Sequence, residues 1–295
     1  MENLHRTTFR FLITLTIICF CCGSGFASPD QAKVSELIQG LRSSNRFERD
    51  MVVNELIKIG SPALPQLIAS LNDSDHQVQE FAAGILGNIE DKTAVPSLLK
   101  ALQENPSRRY AVVWALGKIK DERAIPYIIE EFRHEEASVR KTAMRAIIII
   151  GTPAIPYLLD KIDDPDVKMR SMVITLFGEM GVESAEERVI KALDDKDPTV
   201  VEAACRSLGH IGSTRSVNPL TLKVREASWR IRINAINSLG LIGDHTPVPL
   251  LEKTINDSRF IVREWSARAL ENITGNRYLY LNEKNEMVHP YNMYR

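Results

Sequence analysis

Apolar residues return at helical spacing along most of this chain, in pairs of segments separated by polar turns. Val78, Ala82, Ile85, Leu86 and Ile89 fall at i, i+4, i+7, i+8 and i+11, which is one stripe on a helix. A polar turn, Asn72-Asp73-Ser74-Asp75, precedes that stripe. Before the turn lies a shorter apolar segment opened by Ala63-Leu64-Pro65-Gln66-Leu67. This opening recurs at Ala94-Val95-Pro96-Ser97-Leu98, Ala124-Ile125-Pro126-Tyr127-Ile128 and Ala154-Ile155-Pro156-Tyr157-Leu158, with degenerate copies at Ala185, Ser216 and Pro247. Successive copies lie 30 or 31 residues apart, and a fixed period of that length marks a stacked-repeat architecture.

A second landmark keeps the same register. Leu86-Gly87-Asn88-Ile89, Leu116-Gly117-Lys118-Ile119, Leu208-Gly209-His210-Ile211 and Leu239-Gly240-Leu241-Ile242 each close a helical stretch, and Leu56-Ile57-Lys58-Ile59-Gly60 does so for a first unit without the proline opening. Each unit reads as two helices. Ser61-Pro62 and Thr152-Pro153 are expected to start a first helix as cap and proline. Gly60, Gly151, Gly181, Gly212 and Gly243 are expected to end the second with a left-handed cap. Helices this short gain stability only by stacking on neighbours. The pattern therefore predicts an all-α fold, a right-handed α-α superhelix of about eight two-helix units over residues 30–275.

The Ala-Ile-Pro-x-Leu opening, the Asp-rich turn and the Ala-Leu-Gly-x-Ile close resemble HEAT repeats of the short type associated with phycobilisome lyases. So does the Val-Arg start of the second helix, at Val139-Arg140 and Val262-Arg263, with Met169-Arg170 and Ile231-Arg232 as variants. The resemblance spans nearly the whole chain after its first 27 residues. It implies a solenoid and leaves function open, because such repeats serve scaffolds, adaptors and a few enzymes alike.

Charge and cysteine usage narrow the picture. With 37 basic and 38 acidic residues, a net charge of −1 gives no excess for phosphate neutralisation, so no nucleic-acid partner is expected. Arg6 and Arg10 precede the apolar run Phe11–Phe20, and Gly25-Phe26-Ala27 offers small residues at a cleavage site. Residues 1–27 thus read as a signal peptide cleaved after Ala27, residues 28–275 as the solenoid and 276–295 as an aromatic cap or tail. Export follows, to the periplasm in a Gram-negative bacterium and otherwise to the outside, with no integral membrane span after cleavage. Of the four cysteines only Cys205 then remains, so no internal disulfide forms.

Two surface features stand out. Arg49, Arg109, Arg140, Arg170, Arg232 and Arg263 hold one position of the second helix. Their regular recurrence points to stacking, with guanidinium groups bonded to turn carboxylates and carbonyls, rather than to a basic ligand stripe. The residues opposite the apolar stripe depart from pattern in repeats three and four. Tyr110 and Trp114 sit four apart, Lys141 and Arg145 occupy the equivalent places one repeat on, and Arg108 and Lys118 lie nearby. Aromatic residues beside arginine are common interface anchors. The competing reading is that Trp114 fills a gap against a neighbouring repeat. Ile148 stands where five other repeats carry glycine, which predicts an altered stacking distance or an apolar patch.

Catalytic readings find little support. His76, His134, His210, His245 and His289 share no metal-ligand spacing. HEAT enzymes resembling deoxyhypusine hydroxylase hold two irons with several His-Glu pairs, and this chain has the single pair His134-Glu135. Cys205 reads as a small buried hydrophobe. No cofactor is expected. The tail pairs Arg277–Leu281 with Glu286–Pro290 as a hairpin that caps the last repeat or recruits a partner. The sequence therefore predicts an exported, non-enzymatic scaffold that binds a protein or peptide through Tyr110, Trp114, Lys118, Lys141 and Arg145 on its concave face. The alternative is an accessory or lyase-like factor related to phycobilin lyase proteins, which an export signal disfavours.

Overall fold

The computed structural model describes residues 29–104, 109–226 and 228–290. The expected signal segment, Arg108, Tyr291 and Tyr294 lie outside them. Within the described residues, sixteen helices form eight pairs, a first helix A and a second helix B. They are α1 (Pro29–Gly40) with α2 (Arg46–Ile59), α3 (Leu64–Ser70) with α4 (His76–Ile89), α5 (Val95–Glu104) with α6 (Arg109–Ile119), and α7 (Ile125–Glu130) with α8 (Ala137–Ile150). Then follow α9 (Ile155–Lys161) with α10 (Val167–Glu179), α11 (Glu186–Lys191) with α12 (Pro198–Ile211), α13 (Val217–Lys223) with α14 (Trp229–Ile242), and α15 (Val248–Thr254) with α16 (Phe260–Thr274). The pairs stack into an all-α superhelix, as the repeat pattern predicts.

Turn aspartates start three of the B helices. Asp75 accepts from the Gln77 amide, Asp166 from Lys168 and Met169, and Asp197 from Thr199. Each satisfies a donor that the first helical turn leaves orphaned. From there the apolar stripe dips into a core running the length of the stack, where Val78, Ala82, Ile85 and Leu86 are buried together with Leu98, Ile128, Phe132 and Phe177. A fully buried leucine here stabilises by about 2 kcal/mol relative to an exposed one.

One expected cap is corrected. Ser61 and Thr152 do not cap the A helices they precede. Gly60 and Gly151 hold that place and offer no side chain, and the Ser61 hydroxyl instead donates to the Asp91 carboxylate at 2.9 Å. Side-chain capping occurs where an aspartate precedes the opening, as at Asp91 and Asp121.

The B helices pack in two ways. Five junctions carry glycine at the place of the Leu-Gly landmark, after leucine in four repeats and after Phe177 in the fifth, and there the backbones touch. A Cβ on Gly117 would sit 2.7 Å from Ala146 Cα, and one on Gly178 only 2.6 Å from Ser207 Cα. The facing residue is small each time: Ala115 opposite Gly87, then Ala146, Ser207, Ser238 and Ala269. Two junctions lack the glycine. Ile57 in repeat one and Ile148 in repeat four stand in its place, and the facing positions hold Ile85 and Leu176. Two large side chains cannot share a space that a glycine and an alanine fill. At these junctions the B helices stand apart, and the A helices, α1 beside α3 and α7 beside α9, draw closer instead.

Other features change at the same two junctions. The link from B helix to the next A helix is one residue shorter there than elsewhere. Gly60 and Gly151 have φ of 71° and 77° with ψ near −140°, a region open essentially to glycine, whereas Gly212 and Gly243 take the ordinary left-handed cap. Arg42 and Arg133, at the ends of their A-helix segments, reach 31 residues ahead to Asp73 and Asp164 at 2.8 and 2.7 Å, with Asp75 and Asp166 each at 3.5 Å. Arginine clamps and isoleucine wedges therefore occur together.

The stack ends in a two-stranded hairpin, β1 (Tyr280–Leu281) antiparallel to β2 (Met287–Val288). Tyr280 is buried against the last repeat, the Tyr278 amide donates to Glu271, and Arg263 donates to the carbonyls of Leu281 and Asn282 at 2.6 and 3.1 Å.

Candidate functional site

The side chains opposite the apolar stripe form rows on the B helices. On α6 the row is Tyr110, Trp114 and Lys118; on α8 it is Lys141, Arg145 and Ile149. Gly117 against Ala146 brings these two helices into backbone contact, so the rows lie side by side. The five expected site residues divide on inspection. Tyr110 is 55 % exposed, and Lys141 and Arg145 are exposed with no ion pair among the described residues. Trp114 is not a free anchor: it is half-buried, packed on the core, with its indole over Gly87 of α4, where a Cβ would come within 2.9 Å of the ring. The tryptophan is housed by the absence of a side chain one repeat back. Lys118 is engaged as well, bridging to Glu90 at 3.2 Å.

The row on α8 extends further than the sequence suggested. Ile148 is 39 % exposed and Ile149 37 %, one turn beyond Arg145 on the same face. The missing glycine changes the stacking and bares an apolar patch at once, because parted B helices leave Ile148 partly uncovered. Two exposed cations, a tyrosine and two isoleucines thus adjoin on one surface.

The arginine ladder faces inward to the scaffold. Arg49, Arg140, Arg170, Arg232 and Arg263 each donate to the carbonyl six residues earlier, for example Arg170 to Asp164 at 2.8 Å. Two of these, Arg170 and Arg232, also reach a carboxylate of the following repeat, Asp195 and Asp257, and Arg109 likewise reaches Glu131. Burial alone would raise the Asp195 carboxyl, but hydrogen bonds from Arg170 and the Asp197 amide outweigh it and hold the group below the usual range. Asp257 serves two repeats at once, its carbonyl accepting from Arg263 of its own repeat and its carboxylate from Arg232 of the repeat before. In the last repeat the hairpin carbonyls take the place of the next carboxylate.

Arg42 and Arg133 escaped the sequence reading because they belong to a different helix position. Their signal was present: a 31-residue step from arginine to aspartate, found only beside an isoleucine wedge and a Gly-Ser-Pro or Gly-Thr-Pro link. On the A-helix side of the wedge in repeats four and five lies a cleft of about 370 Å³, walled by Pro126, Ile129, Pro156 and Tyr157 and spanned by Lys161 and Glu130 at 3.4 Å.

Cys205 is fully buried, and burial pushes its thiol up to about 12, so it stays protonated at neutral pH and is a poor nucleophile. Among the described residues no group of three or more His, Cys, Asp and Glu is arranged to hold a metal ion. No single described helix is long and apolar enough to cross a membrane.

Comparison with known proteins agrees with this architecture. A family model described as HEAT repeats matches residues 34–111, 64–148, 97–165, 155–226 and 217–281. No curated protein matches the chain. Solved structures similar to it include human deoxyhypusine hydroxylase in complex with glycerol, at 19 % identity over 84 % of this chain and 98 % of that one, with a TM-score of 0.38. The CpcE–CpcF complex of phycocyanin lyase from Nostoc sp. PCC7120 shows 25 % identity over 50 % of this chain and 99 % of that one, with a TM-score of 0.48. Kap121p shows 13 % identity over 81 % of this chain and 37 % of that one, also at 0.48. With paired helices in one register and a family model that follows them from residue 34 to residue 281, the chain belongs to the HEAT-repeat family.

Proposed function

We propose that this protein is an exported, non-enzymatic scaffold that holds a protein or peptide partner on the B-helix face of repeats three and four. The observation that carries the reading is the exposed row of Lys141, Arg145, Ile148 and Ile149 on α8 beside Tyr110 on α6. An apolar floor edged by cations and an aromatic ring is the composition of an interface centre. Ile148 also wedges α8 from α10, but Tyr110, Lys141, Arg145 and Ile149 lie outside the core of the stack. Support for export is the cationic, apolar and small-residue order of residues 1–27.

A photocrosslinking amino acid tests the face directly. Placed at Tyr110 or Arg145 in the native host, it should trap one discrete partner, and at Glu122, exposed on the A-helix side, it should not. Lys141→Glu with Arg145→Glu should abolish the adduct while leaving helical circular dichroism unchanged, since neither residue makes an ion pair in the described structure. Equal labelling at all three positions, or an adduct that survives the charge reversal, would sink the reading. N-terminal sequencing of the purified protein should begin at Ser28, and an intact Met1 would refute cleavage after Ala27.

A further inference from the structure

Every inner repeat presents one face to the repeat before it. In repeat two that face includes Gln77, whose amide donates to the Leu41 carbonyl of repeat one at 2.6 Å, and Phe81, which lies under the Arg49 guanidinium at 5.8 Å. The equivalent positions of repeat one are Phe47 and Met51, and no repeat precedes them among the described residues. Phe47 is 71 % exposed and Met51 59 %, and they stand one turn apart on α2. Two large apolar side chains exposed side by side form a patch of the kind that marks an interaction surface, and terminal repeats of stacked arrays ordinarily carry a polar outer face. The opposite end is closed by the hairpin, which also occupies the free donors of Arg263. Among the described residues the two ends of the solenoid are therefore unlike, one finished and one open.

We infer that the open end docks against the same end of a second copy, giving a head-to-head dimer with α2 crossing its two-fold mate. The charges argue for this occupant. Arg46 and Asp50 form a second row beside Phe47 and Met51, 3.7 Å apart and both exposed. A two-fold axis between antiparallel α2 helices sets Arg46 of each copy against Asp50 of the other, with the phenylalanines and methionines between them. A surface that carries its own complement is what an isologous interface requires. Because the hairpin finishes the other end, association closes at two copies and does not run on into a filament.

Sedimentation velocity on the full purified chain, from about 1 to 100 micromolar, should show a dimer dissociating on dilution. Phe47→Glu with Met51→Glu should weaken it by about a hundredfold or more and leave a monomer of unchanged helicity, because these side chains contribute little to the core. Arg46→Glu sets like charges across the axis and should weaken association, and adding Asp50→Arg to it should restore the dimer by reversing both charges together. A wild-type chain that is monomeric throughout, whether because residues 1–28 or nothing at all covers the face, overturns the inference. So does a dimer that survives the glutamate pair, or a charge swap that fails to rescue. Loss of the partner adduct at Tyr110 would not bear on these outcomes, since the two surfaces are separate.

Discussion

Two glycines, thirty-three residues apart in sequence, show how position decides what the same residue does. Gly84 lies in the middle of α4 with open space where a Cβ would go, so it costs helix stability without gaining a contact. Gly84→Ala should therefore stabilise the protein by about 0.5–1 kcal/mol in urea unfolding. Gly117 has Ala146 Cβ 2.5 Å and Ala146 Cα 2.7 Å from the same hypothetical atom. Gly117→Ala must push α6 from α8 and should cost about 1–3 kcal/mol by the same measurement. If the two variants shift the midpoint alike, backbone contact does not set the stacking distance. The arginine ladder offers a second test at this scale. Arg170 is 15 % exposed and holds two carbonyls and the Asp195 carboxylate. Arg170→Ala strands all three and should cost about 2–4 kcal/mol, whereas Arg145→Ala, exposed and unpaired, should stay within about 0.5 kcal/mol. Such roles were partly legible in the sequence. The recurrence of the arginines gave away a structural duty, but which atoms they bind depends on the neighbouring repeat and needed coordinates. The housing of Trp114 was not legible, because its pocket is made by Gly87, a residue that looks like part of a repeat signature until the two are seen in contact.

At the scale of the helix pair, the chain uses two kinds of junction, and each is written as a coordinated set of residues. Glycine faces alanine or serine where B helices touch; isoleucine faces isoleucine or leucine where they part. The period, the two-helix unit and the register of all eight repeats could be read from landmarks spaced along the chain. The junction type could not, because its two determinants sit in different repeats and neither is unusual alone. Ile148 was visible as an exception, yet its meaning required Leu176. The wedge explanation makes a specific prediction. Ile148→Gly combined with Leu176→Ala should let α8 and α10 approach to the spacing of the glycine junctions, about 8–10 Å between axes. Spin labels on the exposed faces of α8 and α10 would read this as a shortened distance by pulsed electron resonance. The reverse change, Gly117→Ile with Ala146→Leu, should lengthen the corresponding distance between α6 and α8. Unchanged distances in both variants would mean that the shorter links after Ile59 and Ile150, and not the isoleucines, set the geometry.

For the whole molecule, the consequence is a solenoid that is not uniformly cohesive. In a stacked array stability is nearly a sum of repeat and nearest-neighbour terms, so the weakest junction decides where cooperativity breaks. Junctions with backbone-to-backbone B helices rest mainly on apolar contact, which does not titrate. The junction between repeats four and five lacks that contact and leans on Arg133 with Asp164 and Asp166, on Lys161 with Glu130, and on the closer A helices. The Arg133 hydrogen bond, aided by the Asp166 amide and opposed by burial, holds the Asp164 carboxyl below the usual carboxylate range. A carboxyl depressed in the folded state contributes stability that is full above its unfolded value, about 4, and is lost as pH falls from there toward the folded value. Thermal unfolding should thus be most nearly a single transition at neutral pH and should divide in two as pH drops below about 4, with repeats five to eight and their hairpin melting as one block. Asp164→Asn keeps the amide acceptor for Asp166 but loses the charge, so it should show the divided melt already at pH 7 and little further change on acidification. The glycine-faced junction between repeats five and six also carries an ion pair, Arg170 with Asp195, yet Asp195→Asn should lower the midpoint without dividing the melt, because Gly178 still rests on Ser207. Calorimetry of the three proteins across this range decides the matter. A melt that stays undivided in Asp164→Asn, or divides equally in Asp195→Asn, would show that the wedge junction is no weaker than the rest. A division confined to Asp164→Asn and to acid would instead place a breakable seam of the superhelix beside the exposed row of α8. A partner seated on that row would then bridge or avoid the seam, and its binding would stabilise the two blocks unequally.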